Sequence, residues 1–142
     1  MKYLLDTNVI SELRKRKPHG AVSAWIQSLR DQDIQIPAVA IAELQDGAEI
    51  TRHQDPTKAE ELEQWIDRIM ATFVVLPIDG SMFRDWARLM AGKSDDLAAD
   101  AMIVATARGH RLTVATRNVK DFTIFGIQVF NPFTYTSAGK RN

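Results

Sequence analysis

The chain contains no cysteine among its 142 residues. This absence excludes disulfide frameworks, thiolate zinc sites and cysteine nucleophiles, so any bound metal would have to be held by oxygen or imidazole ligands. Histidine is scarce as well, because the sequence has only His19, His53 and His110, and these show no close metal-ligand spacing. We therefore expect the histidines at the surface and look for chemistry among the oxygen-bearing side chains.

Net charge, long apolar runs and nucleotide-binding motifs are also missing. Eighteen basic residues balance eighteen acidic ones, so no whole-molecule positive field attracts nucleic acid, and such binding would need a local patch. No apolar run approaches the roughly 20 residues that cross a bilayer, and Asp6 interrupts the N-terminal run before a signal-peptide core could form. No Gly-rich dinucleotide turn or Walker loop is present. We expect a cytoplasmic protein without a membrane segment or nucleotide cofactor.

The chain does contain short apolar runs that alternate with amphipathic helical patterns. The five strand-like runs cover residues 3–5, 34–36, 73–78, 111–116 and 127–130. Strands that alternate with helices predict a three-layer α/β/α, Rossmann-like domain with a central parallel sheet covered on both faces. The length suits a single domain, which we place at residues 1–133. The remaining residues, 134–142, are small and polar and predict a flexible C-terminal tail.

Asp6 directly follows the first of these runs. In an open parallel sheet, the carboxyl end of a strand faces the crevice where ligands bind, which favours a functional role for this carboxylate. The alternative is that Asp6 or Thr7 only caps the following helix. Asp79 repeats the arrangement after residues 73–78, but Gly80 and a helical pattern follow at once, so capping is the favoured role there.

Two further carboxylates fall on apolar stripes of predicted helices. Glu43 shares its stripe with Ala40 and Gly47, which predicts a tightly packed surrounding and a close approach at the glycine. Asp100 lies on the stripe of a helix near residues 97–107, without a lysine or arginine within one turn. An isolated buried carboxylate costs several kcal/mol unless it is paired or bound to a cation. A functional role is therefore favoured for Asp100 over a protonated or hydrated acid at a helix start.

A run of four cations, Arg14, Lys15, Arg16 and Lys17, ends the first helical pattern before Pro18. Cations at a helix C-terminus complement the helix dipole, which is the structural interpretation. The same cations, or Arg117 farther along the chain, could instead hold phosphates beside the crevice.

All of the singled-out acids can converge at the carboxyl edge of a parallel sheet. Carboxylates that meet there repel one another, so either their pKa values rise or a cation neutralises them. Hard divalent ions such as magnesium and manganese favour oxygen ligands. A metal ion held in this way activates water for the hydrolysis of a phosphodiester.

Four blocks of sequence carry a family resemblance. They read LLDTNVISE at residues 4–12, VAIAEL at 39–44 followed by Gly47, DAMIVATA at 100–107, and LTVATRN at 112–118. In their order and spacing they resemble the PIN-domain family, and more narrowly the VapC toxins and their FitB-like relatives. The VFNP ending at residues 129–132 is similar to the FitB-like tail. The resemblance covers nearly the whole chain.

The resemblance implies a metal-dependent endoribonuclease that acts as the toxin of a type II toxin–antitoxin pair. Its implied partners are an RNA substrate, a small antitoxin that holds it inactive, and a second copy in a homodimer. The implied cofactor is Mg²⁺, with Mn²⁺ as the alternative ion.

The site residues implied by the resemblance follow the family's acidic triad. Asp6, Glu43 and Asp100 match that triad, with Asp6 and Asp100 as metal ligands and Glu43 bound directly or through water. Many relatives carry Asp where this chain has Asn118, and others with Asn there have an acid at the position of Asp121. We expect Asn118 to orient water or substrate and Asp121 to complete the acidic set.

Two other functions fit parts of the pattern. The first is a non-catalytic PIN-like module that binds protein or nucleic acid, with vestigial acids. The second is a phosphotransfer domain with Asp6 as nucleophile or phosphoacceptor. The phosphotransfer alternative lacks a second Asp two residues later, where the chain has Asn8, and it gives Glu43 no role.

Overall fold

The computed structural model describes residues 1–137. Its centre is a five-stranded sheet in the order β3-β2-β1-β4-β5, in which all neighbours are parallel. The strands are β1 (Tyr3–Leu5), β2 (Ile34–Pro37), β3 (Val74–Leu76), β4 (Thr113–Ala115) and β5 (Val129–Phe130). The predicted parallel α/β sheet is confirmed, and each strand lies within or beside its predicted run.

Seven α-helices accompany the sheet within residues 1–137. They are α1 (Thr7–Glu12), α2 (Gly20–Gln27), α3 (Ala38–Arg52), α4 (Pro56–Thr72), α5 (Gly80–Met90), α6 (Ala98–His110) and α7 (Val119–Thr123). Short 3₁₀ turns occur at Asp31–Asp33, Asp95–Leu97 and Pro132–Thr134. The helical patterns predicted the first six helices but missed α7, which at five residues is too short to show a period.

The two faces of the sheet are covered by separate cores, as the alternation of side chains along a strand requires. Tyr3 and Leu5 of β1 point into the first core, which also receives α1, α2, α3 and α4. Leu4 points into the second core, against α6 and the Phe122 ring of α7. The helices therefore form the two outer layers of the predicted three-layer domain.

Local chemistry explains where several helices begin. The Asp79 carboxylate accepts a 2.9 Å hydrogen bond from the Met82 N–H, which confirms its predicted role as the cap of α5. Pro37 ends β2 and occupies the N-cap position of α3. Because proline lacks an N–H and favours extended backbone here, it switches the chain from strand to helix.

The structure also bears on the predictions for the C-terminal tail, for membrane segments and for the histidines. Tyr135 packs against the first core, whereas residues 138–142 lie outside the described residues, so the prediction of a flexible tail stays a prediction. Within the described region, no helix has both the length and the apolar character that crossing a membrane would require. The three histidines are exposed, as predicted.

Candidate active site

The carboxyl ends of β1 and β4 bring Asp6 and Thr116 together. The two strands pair in parallel with Leu5 opposite Ala115, so the next residue of each strand leaves the sheet at the same edge. The Asp6 N–H donates to the Ala115 carbonyl at 2.9 Å, and the Thr116 Oγ1 donates to the Asp6 Oδ2 at 2.7 Å. Asp6 is only 5% exposed. Strand pairing therefore fixes the first acid of the site.

The two carboxylate oxygens of Asp6 have different partners. Oδ1 accepts a 2.7 Å hydrogen bond from the Thr7 N–H at the start of α1. Oδ2 accepts from the Asn8 Nδ2 at 3.1 Å, in addition to Thr116. The sequence left open whether Asp6 caps a helix or belongs to a functional site. The structure shows that the same side chain caps α1 and also faces the other acids.

Asn8 and Thr116 extend this hydrogen-bond network toward Arg117 and Asn118. Thr116 Oγ1 accepts from the Asn118 N–H at 3.0 Å, and Asn8 Oδ1 accepts from the Arg117 N–H at 3.3 Å. Asn8 Nδ2 also approaches Thr116 Oγ1 at 3.4 Å. The loop after β4 is thereby fixed against the start of α1.

Glu43 lies on α3 and is exposed. This position contradicts the predicted packed surrounding, because Ala40 is buried while Glu43 and Gly47 on the same stripe are exposed. A Cβ added at Gly47 would meet no atom within 4 Å, so the predicted close approach is wrong as well. Glu43 Oε1 accepts a 2.6 Å hydrogen bond from Thr7 Oγ1, which places the carboxylate beside the residue that follows Asp6.

Asp100 occupies the first turn of α6 and is half-buried. The pKa of Asp100 is raised to about 6, mainly by burial and then by the charges of Asp6, Asp121, Glu43 and Asp96 in that order. Among residues 1–137, the ion pairs leave Asp100 without a cationic partner. The predicted unpaired carboxylate is therefore present, although it is less buried than the stripe implied.

Two of these charges, those of Glu43 and Asp121, also act on Asp6. Burial is the largest cause that raises the pKa of Asp6, while the hydrogen bonds from Thr116 and Thr7 oppose it and the charges of Glu43 and Asp121 add to the rise. These mutual effects require the carboxylates of Asp6, Glu43, Asp100 and Asp121 to be electrostatic neighbours. The structure thus brings the predicted acids to one edge of the sheet.

Asn118 and Asp121 contribute to the acidic edge of the sheet in different ways. Asp121 is exposed on α7, and its charge raises the pKa of both Asp6 and Asp100. Asn118 precedes α7 and is tied to the site through its main chain, because its N–H binds Thr116. Of the two, Asp121 supplies negative charge to the cluster. The roles predicted for their side chains stay predictions.

The donor set suits a hydrated hard cation better than a closely enclosed one. Within the described residues, no three acidic or histidine side chains are arranged so that they could hold a metal ion by themselves. Magnesium, however, usually keeps several waters and needs only one or two carboxylates of the protein. Asp6 and Asp100, whose pKa values are raised by burial and by like charge, are the groups whose repulsion a cation would relieve most directly.

One prediction about the cations needs correction, whereas their proposed contact with phosphates stays a prediction. α1 ends at Glu12 without a basic residue in its last turn, so the run at residues 14–17 lies beyond the helix rather than on its C-terminal turn. Lys15 pairs with Glu12 at 2.9 Å, and the Arg117 guanidinium lies 4.5 Å from the centre of the Phe133 ring. Arg14 alone of the four lines an open groove beside Glu43.

Thr116 is the main site residue that the sequence analysis did not single out. The clue in the sequence is that Thr116 directly follows β4, just as Asp6 directly follows β1. These two strands are paired neighbours in the sheet. Asp96, in the Asp95–Leu97 turn, was also not singled out from the sequence, yet its charge contributes to the raised pKa of Asp100.

The family model of the PIN domain matches residues 3–123. The chain belongs to the PIN-domain family, which confirms the resemblance drawn from the four sequence blocks. It is similar to the toxin FitB of Neisseria gonorrhoeae, with 38% identity over 92% of this chain and 97% of the relative. It is also similar to a VapC ribonuclease of Sinorhizobium fredii, with 36% identity over 92% of this chain and 96% of the relative.

Solved structures show the same fold. A structure of FitAB bound to a DNA fragment matches with a TM-score of 0.81 and 33% identity, and covers 96% of this chain and 99% of the other. A toxin–antitoxin complex from Klebsiella pneumoniae matches with a TM-score of 0.69 and 27% identity, and covers 92% of this chain and 98% of the other.

Proposed function

We propose that this chain is a metal-dependent endoribonuclease that hydrolyses RNA phosphodiesters and acts as the toxin of a type II toxin–antitoxin pair. The observation that carries the proposal is that Asp6 and Asp100 are electrostatic neighbours at one sheet edge and have raised pKa values. Within residues 1–137, no ion pair to a cationic side chain neutralises either of them. Relatives of similar length named as a toxin and as a ribonuclease support the activity and the biological role.

Asp6 and Asp100 would hold Mg²⁺, or Mn²⁺ in its place, and Glu43 would bind it directly or through water. When bound, the ion supplies a water that loses its proton more readily and offsets the charge that develops on the phosphodiester. Thr116 and Asn8 keep Oδ2 of Asp6 in a fixed orientation through their hydrogen bonds.

Other residues of the site would position the reactants. Thr7 holds the exposed Glu43 carboxylate at the edge of the cluster. Asp121 contributes negative charge, which favours retention of a cation, and Asn118 beside it would orient water or the RNA. The hydrogen bonds to both oxygens of Asp6 weaken it as a nucleophile, which argues against the phosphotransfer alternative.

The proposed partners are a small antitoxin, an RNA substrate and a second copy of the chain. The toxin–antitoxin complex and the FitAB structure among the similar folds support the antitoxin partner. A non-catalytic binding module is the second candidate, because the described acids do not form a ready-made metal cage.

The deciding experiment measures cleavage of an RNA by the purified chain, with magnesium and with a chelator. We expect cleavage only with the divalent ion, and we expect Asp6→Asn and Asp100→Asn each to abolish it while the circular dichroism spectrum stays folded. Full activity of either variant would overturn the proposed mechanism. Co-purification with the product of an adjacent small reading frame, and suppression of cleavage by it, would test the toxin role.

A further inference from the structure

The segment that follows β5 is joined at two points to the loop that follows β4. The Thr116 N–H donates to the Phe130 carbonyl at 3.0 Å, directly after the last residue pair of the two strands. One residue later, the Arg117 guanidinium lies over the Phe133 ring, 4.5 Å from its centre. A guanidinium at this distance is attracted by the negative face of the ring. A main-chain hydrogen bond and a cation–ring contact therefore hold the two segments side by side.

The Phe133 ring is itself fixed by its surroundings. Asn131 Oδ1 accepts a 3.0 Å hydrogen bond from the Phe133 N–H, and the ring packs against the first core. Its edge also meets the His19 ring, with centroids 5.2 Å apart and planes at 67°. The His19 N–H in turn donates to Oε1 of the buried Glu12 at 2.7 Å. The ring is thus a rigid support for Arg117.

The main chain of the same loop reaches the acids of the site. The Arg117 N–H donates to Asn8 Oδ1 at 3.3 Å, and Asn8 Nδ2 donates to Asp6 Oδ2 at 3.1 Å. The next N–H, that of Asn118, donates to Thr116 Oγ1 at 3.0 Å. A displacement of Arg117 would therefore reach Asp6 through a single side chain and would move Asn118 directly.

We propose that Phe133 is a positioning residue of the site, because it holds residues 116–118 at the acidic edge through its contact with the Arg117 guanidinium. This inference rests on the proposed function and adds to it a residue from the C-terminal end of the described region. The loop needs such support, since Arg117 and Asn118 are both exposed and exposed loop segments open readily unless contacts restrain them.

Arg117 could instead hold a phosphate of the RNA. The cation–ring contact favours the supporting role, because the guanidinium would have to leave the Phe133 ring to reach a phosphate. The two roles predict different results. Support of the loop acts on the rate of the chemical step, since small displacements of positioned groups slow a reaction. A phosphate contact acts on RNA affinity and on its dependence on salt.

The first measurement is amide hydrogen exchange, followed by NMR in the presence of a chelator. Phe133→Leu keeps an apolar side chain and removes the ring face, whereas Arg117→Gln breaks the same contact at an exposed residue and leaves the core intact. We expect each variant to speed the exchange of the Asn118 N–H by about fivefold, as the loss of a cation–ring contact implies. The Leu112 N–H, which donates to Ala107 near the C-terminal end of α6, is the internal reference and should exchange as before.

The second measurement is RNA cleavage at saturating magnesium. We expect Phe133→Leu and Arg117→Gln each to lower kcat on the order of tenfold, with KM for RNA within about twofold. The double variant should be only as slow as the slower single variant, because both changes remove the same contact. Phe133→Tyr keeps the ring face and should restore both kcat and the exchange rate.

Salt dependence separates support of the loop from a phosphate contact. RNA affinity is measured with a chelator at several salt concentrations. For Arg117→Gln we expect the slope of log affinity against log salt to stay unchanged, whereas loss of one phosphate contact to a single strand would lower it by roughly 0.7.

Tyr135→Leu is the matched control. Tyr135 is also a half-buried ring near the C-terminal end that packs against the first core, whereas the ring under the Arg117 guanidinium is that of Phe133. This control loses a ring of similar size and keeps the contact with Arg117. We therefore expect its kcat and its Asn118 exchange rate to stay within about twofold of the unmodified chain.

The outcomes separate this proposal from the proposed function. Equal effects of Phe133→Leu and Tyr135→Leu, or unchanged exchange of the Asn118 N–H, would overturn the positioning role. Additive losses in the double variant, or a lower salt slope in Arg117→Gln, would also overturn it, because either result assigns Arg117 a separate contact. Absence of cleavage by the unmodified chain would overturn the proposed function, and amide exchange would then decide the hold on the loop by itself.

Discussion

The Thr116 hydroxyl donates a 2.7 Å hydrogen bond to the Asp6 carboxylate across a separation of 110 residues, with both side chains buried. The same oxygen accepts the Asn118 N–H. Thr116 therefore connects the acid at the end of β1 with the loop that leads to α7. Its main effect on Asp6 is to stabilise the ionised carboxylate in a surrounding that otherwise favours the protonated acid.

Thr116→Val keeps the shape of the side chain and removes its hydroxyl. We expect unfolding free energy to fall by about 1–3 kcal/mol, because buried polar partners are left unsatisfied, and RNA cleavage to fall by at least tenfold. Urea denaturation and cleavage assays measure the two effects. Thr116→Ser, which retains the hydroxyl, is the control, and a Val variant with unchanged activity would show that Asp6 needs no such support.

Thr7→Val tests whether the hydrogen bond from Thr7 fixes the orientation of the Glu43 carboxylate. The hydrogen bond of Thr7 Oγ1 to Glu43 Oε1 is exposed, so its loss should lower stability by less than about 1 kcal/mol. Cleavage should fall several-fold, because Glu43 would lose its fixed orientation. Thr7→Ser should restore activity. Loss of stability in step with loss of activity would mean that the contact only supports the fold.

The raised pKa of Asp100 predicts how the free energy of unfolding depends on pH when a chelator is present. Because its pKa in the folded state is raised to about 6 from 3.8, the folded protein binds a proton more tightly than the unfolded chain. Unfolding free energy should therefore fall as pH rises from about 4 to about 6 and then level off. Asp100→Asn should remove this fall and be more stable at pH 7 by about 1–2 kcal/mol, allowing for solvent screening. Urea titrations of both proteins at pH 4, 5, 6 and 7 check it, and parallel profiles would contradict it.

Magnesium should stabilise the folded protein if the acids hold it. An ion that binds only the folded state raises the melting temperature with its concentration. The increase should be larger at pH 7 than at pH 5, since protons compete for Asp6 and Asp100. Asp6→Asn and Asp100→Asn should lose the increase, and Asp31→Asn, an exposed acid of the Asp31–Asp33 turn, should keep it. A melting temperature that does not respond to magnesium in the unmodified chain would favour the non-catalytic module.

Asp79 offers a contrast between a structural acid and the acids of the site. Asp79→Ala removes the cap of α5 and should cost about 0.5–2 kcal/mol of stability, with cleavage by the folded protein unchanged. Asp79→Asn should restore most of the stability, because Asn also caps helices well. Thermal denaturation and cleavage assays provide the readout. Loss of cleavage in a folded Ala variant would make Asp79 a member of the site.

The arrangement of the strands was predictable because each buried strand appears as a short apolar run between helical patterns. The acids were predictable for a related reason, since Asp6 ends such a run and Asp100 has no cation within a helical turn. The exposure of Glu43 was not predictable from helical spacing. Spacing shows which residues of α3 share a stripe, but the packing of α3 against its neighbours, chiefly α4, decides which residues of that stripe are buried.

The role of Thr116 depends on strand register, which a single sequence does not reveal. Only the pairing of Leu5 with Ala115 shows that Asp6 and Thr116 leave the sheet side by side.

The order of the strands also determines when, during synthesis, the centre of the sheet can form. β1, the first strand to leave the ribosome, is central in the sheet, and one of its two neighbours, β4, begins at Thr113. Asp6 therefore gains its partner only when a residue 110 positions later has been synthesised, a delay of roughly 5–20 seconds at ordinary translation rates. A nascent chain cannot assemble the acidic edge before that point, so the proposed active site forms only late in translation.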